Sequence, residues 1–139
     1  MSVSEAVVLV TGYRGWTDRA AISRELARVT RLAHSEFPGA RLCLVQGGCE
    51  GADALAREIC NAKKSWRVLT YEADWSRGKG AGPARNQEMI DDTRPHYALV
   101  FMDERSKGTR DCLRRLQAYE SNPRMSRLRA PIVIVHATV

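Results

Sequence analysis

The chain has 139 residues, which is most simply one domain spanning residues 1–139 and is long enough to bury a real core. It is 44% hydrophobic, has no apolar run near the ~20 residues that cross a bilayer, and lacks the start of a signal peptide, so we expect a cytoplasmic protein without a membrane partner. Its net charge of +6 predicts an anionic partner such as a nucleotide or a nucleic acid.

Five short apolar runs occur along the chain, and each of the first four is followed by a helical pattern. The runs span residues 6–10, 42–45, 66–71, 97–101 and 131–135. Strands that are apolar throughout and alternate with helices are typical of a parallel sheet covered on both faces. The sequence therefore predicts a single Rossmann-like α/β domain, with about five parallel strands and helices on both faces.

Capping residues or a proline in the sequence mark the starts of three of the predicted helices. Thr17 or Asp18 can cap the first helix, and Ser106 can cap the helix after the fourth run. Pro83 suits the first position of the third helix, because its missing N–H has no intrahelical partner there. We expect that helix to start at Pro83 and to end near Asp92.

A glycine-rich turn, residues 46–53, joins the second apolar run to the second helical pattern. Gly47, Gly48 and Gly51 carry no Cβ, so an anion can approach the backbone closely. Backbone N–H groups at a helix N-terminus also attract anions. The turn therefore predicts a phosphate site, the alternative being a plain tight connection between strand and helix.

The unusual residues follow the strands of the predicted sheet. Loops at the carboxyl ends of parallel strands meet at one edge, where ligands bind in open α/β sheets. Glycines with Arg, Asp, Asn, Ser and Thr in these loops make a donor-rich lining suited to a phosphorylated sugar. The predicted ligand-binding residues are Gly12, Arg14, Gly47, Gly48, Gly51, Asp53, Asp74, Trp75, Arg85, Asn86, Ser106, Gly108 and Thr109.

Several of these residues also have a purely structural interpretation. Arg14 can be a surface arginine, Asp53 can complement a helix dipole, and Trp75 can be a packing residue. The four cysteines show no Cys-x-x-Cys pair and no His at ligand spacing, so we predict neither a metal site nor a disulfide framework. We also expect no cofactor.

The chain resembles the SLOG superfamily in its YspA/YpsA-related branch. The matching segments are residues 10–16, 47–56, 73–75, 78–89 and 106–109. They occur in the order and spacing of the family, from about residue 7 to residue 117. The resemblance implies a Rossmann-type domain that binds a nucleotide or a nucleotide-derived ligand. Relatives in this superfamily include the lonely-guy (LOG) phosphoribohydrolases and the DNA-processing protein DprA.

The chain departs from the LOG enzymes after the fourth run. Those enzymes have Gly-Thr-x-x-Glu, with the Glu in a catalytic pair beside an Arg. Arg85 matches that Arg, but Cys112 stands at the Glu position and Asp111 is offset by one residue, which is about 100° around a helix. The resemblance therefore favours ligand binding, and Arg85 and Asp111 stay as catalytic candidates for N-glycosidic hydrolysis, with Asp53 or Asp74 as other acid/base candidates.

The leading hypothesis is a nucleotide-binding protein that senses or sequesters its ligand. The turn glycines would admit the phosphate, Arg14 and Arg85 would neutralise it, and the remaining polar residues would orient the sugar. The rival from another class is a DprA-like nucleic-acid-binding module on the arginine-rich stretch 110–129, of which residues 121–130 are expected to be loosely ordered. A homo-oligomer is compatible with such a sheet.

Overall fold

A computed structural model of the chain describes residues 3–137. The expected domain, residues 1–139, extends beyond this range at both ends. Residues 1 and 2, which belong to the segment considered for a signal peptide, lie outside the described residues. Strands and helices alternate throughout, with one short 3-10 turn in the third crossover. In chain order they are β1 (Glu5–Gly12), α1 (Arg19–Glu36), β2 (Arg41–Gln46), α2 (Ala52–Asn61), β3 (Trp66–Thr70), the 3-10 turn (Trp75–Arg77), α3 (Ala81–Thr93), β4 (Tyr97–Met102), α4 (Lys107–Glu120) and β5 (Val133–His136).

All five strands form one parallel sheet in the order β3-β2-β1-β4-β5. The chain moves outward from β1 to β3, crosses back over the sheet, and continues from β4 to β5 on the other side. This order places a topological switch point between β1 and β4, where the following loops diverge. The sheet confirms the predicted Rossmann-like α/β fold.

The helices cover both faces of the sheet. Residues Ala6, Val8 and Val10 of β1 point toward α1 and α2, whereas Val7 and Leu9 point toward α3 and α4. Successive side chains of a strand face opposite ways, so a strand buried on both sides is apolar at every position. The continuous apolar runs of the sequence are the direct consequence of this two-sided core.

The start of α1 and the start of α4 follow the sequence signals. The Asp18 carboxylate accepts from the N–H of Ala21 at 3.0 Å, and the Ser106 hydroxyl accepts from the N–H of Thr109 at 3.3 Å. The prediction for α3 was wrong, because this helix begins at Ala81 and Pro83 is its third residue. Pro83 fits there because N–H groups of the first helical turn have no intrahelical partner.

The C-terminal part of the chain also differs from expectation. The fifth strand begins at Val133 rather than residue 131 and ends at His136. Residues 121–130 contain no strand or helix, yet they are held in place, contrary to the expected loose order. The Arg127 guanidinium donates to the carbonyls of Thr93 and Arg94 at 2.7 and 2.8 Å. These bonds tie the segment to the end of α3.

Candidate ligand-binding site

A pocket of about 300 Å³ lies at the carboxyl edge of the sheet, beside the switch point between β1 and β4. Its volume is at the lower end of the range for small-molecule sites. Loops after β1, β2, β3 and β4 form its walls together with residues of α3 and the first turn of α4. The predicted ligand-binding residues that line it are Gly12, Arg14, Gly47, Asp53, Trp75, Arg85, Asn86, Ser106, Gly108 and Thr109.

One wall of the pocket is the N-terminus of α4. Ser106 caps this helix, and Lys107 is its first residue. Arg14 reaches the same pocket from the loop after β1. Both cations are exposed, and neither forms an ion pair with any residue between 3 and 137. Two uncompensated cations beside the positive end of a helix dipole favour an anion at this wall.

Arg85 forms another part of the pocket and is fixed by carbonyl groups. Its Nη1 donates to the carbonyls of Gly47 at 2.5 Å and Tyr71 at 3.1 Å, and its Nε donates to Asn86 Oδ1 at 2.9 Å. A Cβ on Gly47 would lie 2.6 Å from that Nη1. A side chain at position 47 would therefore have to displace the guanidinium from the carbonyls to which it donates. These hydrogen-bond partners are carbonyl and amide oxygens, which carry no negative charge to offset the guanidinium.

The amides of Gly47, Gly48 and Cys49 in the glycine turn already have partners within the protein, which counts against the phosphate site predicted there. The N–H groups of Gly47 and Cys49 donate to Asp53 Oδ2 at 3.0 and 3.4 Å, and that of Gly48 donates to Gln46 Oε1 at 2.7 Å. The chain's own side chains occupy the positions that an anion would take. These bonds form because the acceptors Gln46 and Asp53 flank the turn. They are favourable because a buried N–H group without a hydrogen-bond partner would cost free energy.

Among the described residues, Asp53 is the only carboxylate in the pocket lining, and it is 4% exposed. Its Oδ1 has no hydrogen-bond partner among the described residues. Burial raises the pKa of Asp53 to about 6, although the N–H groups of Cys49 and Gly47 and the charge of Arg85 act in the opposite direction. Burial thus moves the pKa of this pocket carboxyl group upward, toward the physiological range.

Gln46 organises the turn, and the sequence interpretation missed it. Its side chain is fully buried; Oε1 also accepts from Arg57 at 3.2 Å, and Nε2 donates to Thr70 Oγ1 at 2.5 Å. The amide therefore joins β2, β3 and α2 at one point. The sequence could have indicated this role, because Gln46 is a polar residue at the end of a buried apolar strand. A buried amide needs hydrogen-bond partners.

Three predicted residues lie outside the pocket lining. Gly48 and Gly51 both have positive φ angles, of 75° and 74°. A Cβ on Gly51 would lie 2.3 Å from the carbonyl oxygen of Tyr13, so Gly51 lets α2 approach the loop after β1. Asp74 caps the 3-10 turn by accepting from the N–H of Ser76 at 3.2 Å. These residues shape the loops around the pocket.

Asp111, the catalytic candidate beside Arg85, is engaged by other side chains. Its Oδ2 accepts from Arg115 Nε at 2.9 Å and from Asn86 Nδ2 at 3.1 Å, and it does not line the pocket. Although burial acts in the opposite direction, the bonds from Arg115 and Asn86 hold its pKa below the usual value. Cys112 is fully buried, which raises the pKa of its thiol to about 12.

Arg105 lines the pocket and was missed in the sequence. It forms two bonds to the Asp103 carboxylate, at 2.9 and 3.1 Å, and its guanidinium carbon lies 5.3 Å from the centroid of the Tyr13 ring. The side-chain and backbone bonds from Arg105 lower the pKa of Asp103 to about 2. Its position in the sequence could have identified Arg105 as a pocket residue, because it lies in the loop directly after β4, at the ligand-binding edge of the sheet.

The described residues also bear on metal sites, disulfides and membrane spans. Between residues 3 and 137, no cluster of three or more His, Cys, Asp or Glu side chains could hold a metal ion. The four cysteines are free thiols, three of them buried. In that same part of the chain, no helix has both the length and the apolar character needed to cross a membrane.

Comparison with known proteins identifies the family. Residues 6–78 match the YspA, cpYpsA-related SLOG family (YAcAr). The chain is also 38% identical over 115 residues to Gene 61 protein of Mycobacterium phage D29, an alignment that covers 79% of this chain and 87% of that protein. No solved structure matches it. The family match covers more than half of the chain and includes the loop after β1 and the glycine turn, so the chain belongs to the YspA, cpYpsA-related SLOG family.

Proposed function

We propose that this protein binds a nucleotide or a nucleotide-derived small molecule, containing phosphate and ribose, in the pocket at the carboxyl edge of the sheet. The observation that carries the proposal is the pair of uncompensated cations, Arg14 and Lys107, beside the N-terminus of α4. Membership of the SLOG family also favours a nucleotide-related ligand. The position of the pocket adds a physical reason, since open α/β sheets bind ligands at such a switch point.

The phosphate is assigned to the α4 wall rather than to the glycine turn. The amides of Gly47, Gly48 and Cys49 already donate within the protein. The first turn of α4 offers the positive end of its dipole, and a Cβ on Gly108 would meet open space. Arg14 and Lys107 would neutralise the phosphate there, with Arg85 adding a fixed charge from the other side of the pocket.

The sugar is assigned to the polar groups between these walls. The hydroxyls of Ser106 and Thr109 and the carboxyl group of Asp53 line the pocket. Asn86 acts as a positioning residue, because its amide accepts from Arg85 and donates to Asp111. This arrangement binds a ligand without an evident acid/base pair, which supports a sensing or sequestering role over N-glycosidic hydrolysis.

The nucleic-acid alternative has less support from the arginine-rich stretch. Arg114 and Arg115 bond to Asp111, Arg127 bonds to backbone carbonyls, and Arg129 pairs with Glu36 at 2.7 Å. Most of these charges therefore stabilise the fold instead of forming an open groove. If single-stranded DNA were the ligand, its affinity would fall steeply with salt and with the reversal of the exposed Arg110 and Arg124 to Glu.

The proposal is tested by thermal unfolding with AMP, ADP and ADP-ribose, with adenosine as the ligand that lacks phosphate. A ligand at 100 times its dissociation constant adds about 2.7 kcal/mol to the free energy of unfolding. We expect at least one phosphate-bearing ligand to raise the melting temperature by several degrees and adenosine to raise it much less. No shift with any phosphate-bearing ligand, or an equal shift with adenosine, would refute the proposal.

The matched variants remove two positive charges each. The double variant Arg14→Gln and Lys107→Gln should lose the ligand-dependent shift. The control, Arg31→Gln and Lys64→Gln, removes two exposed cations elsewhere on the surface and should keep it. Equal behaviour of the two double variants would mean that net charge, and not the α4 wall, determines binding.

A further inference from the structure

Trp75 is the most exposed large apolar residue among those described, with 54% of its surface accessible. The other two tryptophans, Trp16 and Trp66, are buried, at 6% and 7%. Trp16 packs edge-on against Phe101, and its Nε1 donates to the carbonyl of Asp18. Packing accounts for the buried rings, whereas an indole that is half exposed beside a pocket is available to contact a ligand.

The indole of Trp75 lines the same pocket as the cationic α4 wall. The lining on its side of the pocket includes Gly82, Pro83 and Met89, which offer little hydrogen bonding through their side chains. The pocket therefore contains both a charged region and an aromatic, apolar one. A ligand that uses both regions carries an anionic group and a flat aromatic group.

The structure holds the indole in a defined place. A Cβ on Gly82 would lie 2.9 Å from Trp75 Cη2, so the ring rests on the backbone of the first turn of α3. The 3-10 turn fixes the backbone of Trp75, since the N–H of Gly78 donates to the Trp75 carbonyl at 3.0 Å. Asp74 caps that turn through the N–H of Ser76. An exposed ring that is already positioned costs less entropy when it contacts a ligand.

From these contacts we infer that Trp75 is the stacking surface for the aromatic base of the ligand. The inference rests on the proposed function and narrows it, because it makes the ligand a nucleoside phosphate rather than a sugar phosphate. Stacking of a base on an aromatic side chain strengthens binding by roughly 5- to 150-fold and tolerates different bases.

The test measures dissociation constants by titration calorimetry for AMP, GMP, CMP and UMP, and for ribose 5-phosphate, which lacks a base. We expect at least one nucleotide to bind roughly tenfold or more tightly than ribose 5-phosphate. Trp75→Leu should remove this advantage while leaving ribose 5-phosphate affinity unchanged, and Trp75→Phe should keep most of it. Ile134→Ala truncates the other exposed apolar side chain and should change neither affinity.

A second measurement uses tryptophan fluorescence. Because Trp16 and Trp66 are buried, a nucleotide that stacks on Trp75 should quench emission in the natural protein but not in Trp75→Phe. An advantage of nucleotides that survives Trp75→Leu, or affinities for all four nucleotides no greater than for ribose 5-phosphate, would overturn the inference and leave the proposed function standing. Absence of binding by all five ligands would overturn the inference, and the proposed function would fall with it if ADP and ADP-ribose also failed to bind.

Discussion

His96 provides a sharp test of how the buried core responds to pH. The side chain is 2% exposed and precedes β4, at the end of the sheet opposite the pocket. Its Nδ1 accepts from the N–H of Val7 at 2.9 Å, and its ring packs edge-on against Phe37. Only neutral imidazole can accept this bond, because protonation places a second N–H against the first. The perturbation is His96→Asn, whose amide oxygen can replace Nδ1 without titrating.

The magnitude follows from the pKa of His96. Burial lowers it from 6.5 to about 4, and the nearby charges of Arg127, Arg129 and Arg94 act in the same direction. The unfolded chain therefore binds a proton below pH 6.5, whereas the folded protein binds it only near pH 4. Stability is fully present above pH 6.5 and falls as the pH is lowered toward 4, by up to about 3 kcal/mol at about 1.4 kcal/mol per pH unit.

The assay is urea unfolding of both proteins at intervals from pH 7.5 to pH 4, with the difference in unfolding free energy plotted against pH. We expect His96→Asn to be less stable at neutral pH, because the ring contact with Phe37 is lost. That deficit should shrink by about 2–3 kcal/mol as the pH falls. Titration of Asp53 is common to both proteins and cancels. Parallel stability curves would refute the assignment of His96 as a buried neutral acceptor.

Three further predictions concern the pocket. We expect Arg85→Lys to weaken nucleotide binding by about 1.5–3 kcal/mol in calorimetry, because lysine cannot reproduce the planar guanidinium, and Arg31→Lys to leave it unchanged. Gly51→Ala should lower the unfolding free energy by about 2–4 kcal/mol in urea, because it combines a positive φ angle with a clash against the carbonyls of Tyr13 and Arg14; unchanged stability would disprove this packing. Incubation with AMP, GMP and CMP should release no free base by chromatography, because Asp111 is engaged and Cys112 replaces the LOG glutamate. Rapid release that is lost in Asp111→Asn would make the protein an enzyme.

The fold was predictable because its signals are local and repeated. Each strand of a two-sided parallel sheet is apolar at successive positions, and each helix shows its own spacing and cap. The family was predictable for the same reason, since its motifs are contiguous in the loops after β1 and β2. The pocket collects most of the predicted ligand-binding residues, and their roles in binding stay predictions.

The glycine turn shows what local patterns cannot provide. A strand followed by glycines and a helix indicates free amides, but Gln46 and Asp53 decide where those amides donate. Gln46 itself is oriented by Thr70, which lies 24 residues further along the chain. Arg85 contacts the Gly47 carbonyl across 38 residues. Such contacts depend on side-chain direction in the assembled fold, which composition and spacing do not determine.

The pocket has two parts that differ in how readily their residues can be substituted: the floor, which the amide of Gln46 supports, and the cationic rim. This amide bonds to the glycine turn and also to Arg57 and Thr70. Substitutions at the floor of the pocket would therefore lower the free energy of unfolding. The cationic side chains on the rim, Arg14 and Lys107, form no ion pair within residues 3–137, so they can be exchanged without disturbing the floor. Variants designed to alter ligand preference should therefore carry their substitutions at the rim, where binding can change while the fold is retained.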